Sequence, residues 1–192
     1  MRKSLSLLLG ALTLAAGGLS AGTAPAAAAG AAPPGGSGPG PAAEVVARAR
    51  TTASSGFGSL CYQAYVQDEG WQDLTACNGD IAGTVGQARR MEALTVGTAG
   101  IGGVCVRAHV AGVGWQGWQC APDGRAVTVG TTGENRAIEA LNLQVFGNTR
   151  MRALAHLADS GWQGWSPWWP TALVGTVGQS RPMEAVRIAI RA

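Results

Sequence analysis

The sequence predicts an all-β domain built from three repeats of roughly 45 residues about a pseudo-threefold axis. Three observations point there. A Gly-Trp-Gln recurs three times, a Gly-Thr-x-Gly segment closing on Glu-Ala follows each copy, and short strand-like runs bounded by glycine turns fill the space between.

The chain opens on a segment expected to be an address. Arg2 and Lys3 precede an apolar run from Leu5 to Ala16, and small residues follow through Ala24 to Ala29. That order describes a secretory signal peptide over 1–29, cleaved between Ala26 and Ala29. The run is too short and too broken by glycine to be read as a membrane span, and no other stretch is long enough. Residues 30–56 are read as a linker, since 30–41 are almost pure Gly, Pro, Ala and Ser and bury no core. Within it, Ala42 to Ser55 fits a short strand or one or two helical turns. A single domain is expected over 57–192, with repeats at about 60–96, 104–145 and 151–190.

Once the leader is removed, twelve arginines face eleven acids, and Lys3 is the only lysine of the chain. So balanced a composition gives no electrostatic footprint for nucleic acid or an anionic membrane.

The repeats are in register. Gly83-Thr84-Val85-Gly86-Gln87-Ala88-Arg89-Arg90-Met91-Glu92-Ala93 returns as Gly130 to Ala140 and again as Gly175 to Ala185, with Gly, Thr, Gly, Arg, Glu and Ala at fixed offsets. Trp71, Trp115 and Trp162 are 44 and 47 residues apart, each six residues after a ring at Tyr65, His109 or His156. Strands are expected over Leu60–Val66, Val104–Val110 and Met151–Leu157, with a short strand after each Trp. Each repeat then closes on Met91–Val96, Ile138–Val145 or Met183–Ile190. Nowhere does a capped apolar pattern of helical period run for three turns. Units this small must share one core. A β-prism, with each repeat as its own sheet, is the preferred architecture, and a β-trefoil is the alternative.

Cys61 and Cys77 straddle Trp71, and Cys105 and Cys120 straddle Trp115, whereas the third repeat has Arg152 and Pro167 or Trp168 at those places. Four cysteines allow three connectivities. Only Cys61–Cys77 with Cys105–Cys120 accounts for the joint absence in the third repeat. A Cys₄ zinc site lacks the usual close-spaced ligand pairs, and neither metal nor cofactor is expected.

Taken together, Ala-x-Val, Gly-Trp-Gln-x-Trp and Gly-Thr-x-Gly-Gln-x-x-Arg-x-x-Glu-Ala resemble the ChW repeat, the clostridial hydrophobic repeat with conserved tryptophan, over about residues 60–190. The resemblance implies an extracellular or cell-surface protein of clostridia or actinomycetes, acting in surface interaction or polysaccharide binding. The Ala, Gly and Arg bias with a single Lys favours an actinomycete. Leu74 departs from Trp118 and Trp165 at its position, and the second repeat carries extra residues between Pro122 and Val129.

Within that frame, Trp71, Trp115 and Trp162, with Tyr65, His109 and His156, are expected to be structural core. Trp118, Trp165, Trp168 and Trp169 vary between repeats and are candidates for ligand contact. Adjacent Trp168 and Trp169 point to opposite faces if extended, and a flat indole matches the apolar face of a sugar. Arg136 with Glu139, and Arg181 with Glu184, are candidate polar ligand groups, as are Arg89 and Glu92 in the first repeat. An interunit ion pair, or a carboxylate at the Gly-Thr turn, is the structural alternative. His109 and His156, the only histidines, fill equivalent positions, which speaks against a catalytic site. The expected function is a secreted, non-catalytic module for cell-wall or extracellular polysaccharide. A protein-interaction or adhesion module, or an inhibitor of a secreted protein, is the alternative.

Overall fold

A computed structural model describes residues 40–53 and 57–192. The expected leader, 1–29, and the Gly/Pro-rich stretch that follows it to residue 39 lie outside the described residues. Helix α1 (Pro41–Ala53) comes first. The first repeat holds β1 (Ser59–Val66), β2 (Gly70–Trp71), β3 (Ala76–Cys77), β4 (Ile81–Gly83) and β5 (Met91–Ala99). The second holds β6 (Val104–Val110), β7 (Gly114–Trp115), β8 (Gln119–Ala121), β9 (Ala126–Gly130) and β10 (Ile138–Val145). The third holds β11 (Arg150–Leu157), β12 (Gly161–Trp162), β13 (Thr171–Gly175) and β14 (Met183–Arg191).

Each repeat is organised on one long antiparallel pair, β1/β5, β6/β10 or β11/β14. Alternation along the strands divides their side chains. Leu60, Tyr62, Ala64 and Val66 of β1, Val104, Val106, Ala108 and Val110 of β6, and Met151, Ala153, Ala155 and Leu157 of β11 meet in one shared core. Burying each large aliphatic contributes about 1.5–3 kcal/mol, and no repeat has enough of them alone.

The architecture is prism-like, three sheets around that core, but the sheets are not self-contained. β9 of the second repeat pairs with β5, β13 of the third pairs with β10, and β4 of the first pairs with β14. Each repeat therefore lends one strand to a neighbour, and the loan from first to third closes the ring. The Gly-Thr segment is the joint. Gly83, Gly130 and Gly175 have φ of +97°, +89° and +94°, and a Cβ on each would sit 2.2 Å from the carbonyl oxygen of Glu184, Glu92 or Glu139. The following amides of Thr84, Thr131 and Thr176 donate to those same three carbonyls at 2.8–2.9 Å. Only glycine permits so close an approach at that φ.

Helix α1 lies within the stretch 30–56 read as linker, and its 13 residues exceed the one or two helical turns considered there. Gly40 accepts from the Ala43 and Glu44 amides, Pro41 fills the first turn, and Glu44 and Arg50 suit the two ends of the dipole. One turn's worth of apolar stripe, Val45 and Ala49, escapes a search for long periodic patterns, yet both are fully buried against Cys61, Cys77 and Ala99. Gly97 makes room, since a Cβ there would come 3.0 Å from Val45 Cγ1. β5 is consequently buried at all nine residues, inward by the core and outward by the helix.

Both expected disulfides are formed, Cys61–Cys77 and Cys105–Cys120, each across a strand pair within one repeat.

Candidate binding surface

The repeat tryptophans are not core. Trp71, Trp115 and Trp162 lie on two-residue edge strands in register with Tyr65, His109 and His156. Those rings alternate with inward residues and so face outward. Each pair meets edge to face, with centroids 5.5, 5.3 and 5.1 Å apart. Trp71 and Trp115 are half-buried and Trp162 is 37 % exposed. The neighbouring Gln is the inward anchor. Gln72, Gln116 and Gln163 each accept from and donate to the backbone of Gly83, Gly130 or Gly175, at 2.7–3.3 Å, so Gly-Trp-Gln holds the lent strand from beneath.

The repeated Arg and Glu do not make common pockets. Glu92, Glu139 and Glu184 each sit at a register slip between the long strands, where a β-bulge leaves them without an opposite residue, and all three are buried. Glu139 is 2.9 Å from His109 Nδ1, and Glu184 is 3.0 Å from His156 Nδ1. In the first repeat, where Tyr65 offers no such nitrogen, Arg90 takes over at 3.1 Å from Glu92. These side-chain contacts thus lie within each repeat, whereas the Glu backbone carbonyl reaches the neighbour. Arg89 pairs with Glu69, Arg136 reaches Glu134 and the Ala111 carbonyl, and Arg181 meets Ser160 Oγ.

The variable tryptophans gather arginines instead. On the second sheet the Arg107 guanidinium carbon lies 4.7 Å from the Trp115 ring centre and 4.8 Å from that of Trp118. On the third sheet a longer ladder forms. Arg152 is 4.2 Å from Trp165 and 4.6 Å from Trp168, Arg187 is 5.5 Å from Trp165, Arg191 is 4.5 Å from Trp168, and Arg150 is 5.8 Å from Trp169. Each contact is worth about 0.5–2 kcal/mol, depending on its exposure. Trp165 and Trp168 are half-buried by these contacts, whereas Trp169 is 58 % exposed. On the first sheet Leu74 is exposed, Gln63 replaces Arg107 and donates to Glu44 of α1, and the helix covers the face.

Motif searching missed the arginines at 107, 150, 152, 187 and 191 because they do not repeat. Strand alternation carries the signal: positions 150 and 152, and 187 and 191, differ by even numbers on adjacent strands and therefore share a face.

The repeat geometry coincides with a known family. A family model described as Clostridial hydrophobic W matches residues 65–100, 109–147 and 156–191, more than half of the chain. This chain belongs to the Clostridial hydrophobic W family. Each matched copy begins at the outward ring, Tyr65, His109 or His156, and runs through the Trp, the Gly-Thr joint and the closing strand. The matched spans of the Clostridial hydrophobic W repeat in this chain thereby include the Gly-Thr segments that join one repeat to its neighbour. No curated protein and no solved structure matches the chain.

Proposed function

We propose that the chain is a secreted, non-catalytic module that binds cell-wall or extracellular polysaccharide through the Trp-rich loop at the edge of the third sheet. The observation that carries this reading is the exposed indole of Trp169 beside the Arg–Trp ladder of Trp165 and Trp168. Exposed aromatic surface stacks on the apolar face of a sugar ring, and here the neighbouring indoles are already held by their cations. Trp118, 41 % exposed beside Arg107, provides a second and smaller patch on the second sheet. Two sites on one polymer add through multivalency.

The two disulfides are compatible with an oxidising, extracellular setting, and no helix of the described residues is long and apolar enough to cross a membrane. The non-catalytic reading rests on the histidines. Both occupy the same repeat position and both face a buried glutamate, which is how a scaffold pair is used twice.

A glycan array combined with pull-down on cell-wall polymers tests the proposal. Trp169→Ala, which removes only an exposed ring, is expected to weaken retention at least about tenfold with an unchanged melting curve. Equal retention of variant and wild type would sink the role of this face. Capture of one specific protein with no glycan bound would favour the adhesion reading.

A further inference from the structure

We infer that the polymer held by the third face is anionic, its acidic groups taken by Arg150, Arg152, Arg187 and Arg191. The inference rests on the polysaccharide reading and specifies its ligand.

The four guanidiniums share the outer face of one strand pair. Arg150 lies opposite Arg191, and Arg187 opposite Leu154, one pair away from Arg152. Four residues of strand separate Arg187 from Arg191, about 13 Å along the face. Among the described residues, no carboxylate lies within 4.0 Å of any of the four; the carboxylates that do approach a basic side chain meet Arg89, Arg90, Arg136, His109 and His156. Like charges directly across a strand pair oppose folding. A chain of nearly balanced charge has nonetheless placed four cations together and, among the described residues, its Arg–carboxylate pairs elsewhere.

The indoles explain how the cluster is tolerated, and they also orient it. A guanidinium stacked on an indole satisfies its flat face and keeps its N–H edge directed outward. Such an edge matches a carboxylate or a phosphodiester in two-point fashion. Arg187 spends its Nε on the Gly79 carbonyl at 2.6 Å, and the Nε of Arg152 is buried without a partner. Arg150 and Arg191 are exposed. They flank the Trp-rich loop, Arg150 near Trp169 and Arg191 on Trp168. A sugar ring on Trp169 would bring its acidic substituents beside Arg150, and the polymer's next units toward Arg191.

Uronate carboxylates and polyol phosphodiesters share this chemistry. Binding of the full chain, with its disulfides intact, is measured by affinity electrophoresis in gels containing polygalacturonate, its methyl ester, synthetic poly(glycerol phosphate) or single-stranded DNA. Expected is retardation by polygalacturonate, by poly(glycerol phosphate) or by both, with the methyl ester at least about tenfold weaker and 0.5 M NaCl releasing the complex. Which charged polymer retards the chain assigns the acidic group. Arg150→Gln with Arg191→Gln, both exposed, should abolish that retardation without shifting the melting curve. Equal retardation by the ester overturns the charge requirement and leaves the polysaccharide reading intact. Stronger retardation by DNA than by either charged polymer overturns the inference. So does retardation by none of them: a neutral hit on the glycan array then preserves the polysaccharide reading, and an empty array ends both.

Discussion

Arg152 and Trp168 face each other across the third repeat at the position where Cys61–Cys77 and Cys105–Cys120 bridge the first two. The Met151–Trp169 bridge sets their register, and the guanidinium carbon stands 4.6 Å from the indole centre. The third repeat lacks a disulfide but not a clasp. A cation–π contact holds the strand that sulfur holds elsewhere, and it leaves a polar edge at the surface.

That equivalence predicts a third disulfide. Arg152→Cys with Trp168→Cys should close a loop as long as that of Cys61–Cys77, 16 residues apart, adding about 3 kcal/mol by the loop-entropy account and losing about 1–2 kcal/mol of cation–π contact. Mass analysis without reduction should show no free thiols. The denaturation midpoint should rise while polymer retention falls, separating what the position does for the fold from what it does for binding. Persistent thiols would show that the registers differ.

The Gly-Thr joint should be intolerant of any side chain. Gly175→Ala places a Cβ 2.2 Å from the Glu139 carbonyl at φ +94°, and is expected to cost at least about 2 kcal/mol. Gly117→Ala, with nothing within 4 Å, should stay within about 0.5 kcal/mol of wild type. Urea unfolding of the pair measures the contrast, and equal losses would count against the joint.

The buried glutamates should accept either partner. Arg90→Ala strands Glu92, only 3 % exposed, and is expected to cost about 3 kcal/mol. Adding Tyr65→His recreates the arrangement of His109 with Glu139 and should restore much of that loss. A double-mutant cycle in urea reads the coupling directly, and additive losses would refute the exchange.

Alkaline pH should loosen the seam between first and third repeats. Tyr62 stands where the other repeats have Val106 and Ala153. Its hydroxyl accepts from the Ile188 amide at 2.8 Å and donates to the Asp80 carbonyl at 2.5 Å. Burial raises the phenol above its ordinary range, an effect only partly offset by the backbone bond to Ile188. The folded state thus holds the neutral form, and the unfolded chain ionises first. This contribution is complete below about pH 10 and is lost as pH rises beyond it. Urea midpoints measured from pH 8 to 11 should fall for the wild type and fall less for Tyr62→Phe. Parallel slopes would exclude Tyr62 as the cause.

Much of this was legible because it is local or repeated. Strand positions, the three copies and the two disulfides follow from alternation, self-similarity and the joint absence at Arg152 and Trp168. The helix at Pro41–Ala53 was not legible as such: Val45 and Ala49 span barely one turn, and only the outer face of β5 gives them a reason to be buried. Trp71, Trp115 and Trp162 read as core because an invariant aromatic usually is. Their outward direction depends on which edge strand faces which ring. The arginines went unnoticed in a chain whose charges balance.

By itself, then, the sequence determined a threefold β scaffold and its staples, since hydrophobic period and repeat spacing act over a few residues. Tertiary structure alone decided that each repeat lends a strand to a neighbour, that α1 closes one face, and that four arginines and the indoles of Trp165 and Trp168 share another. Those relations depend on strand pairing between repeats, and pairing partners separated by roughly thirty to a hundred residues leave no periodic trace in the chain.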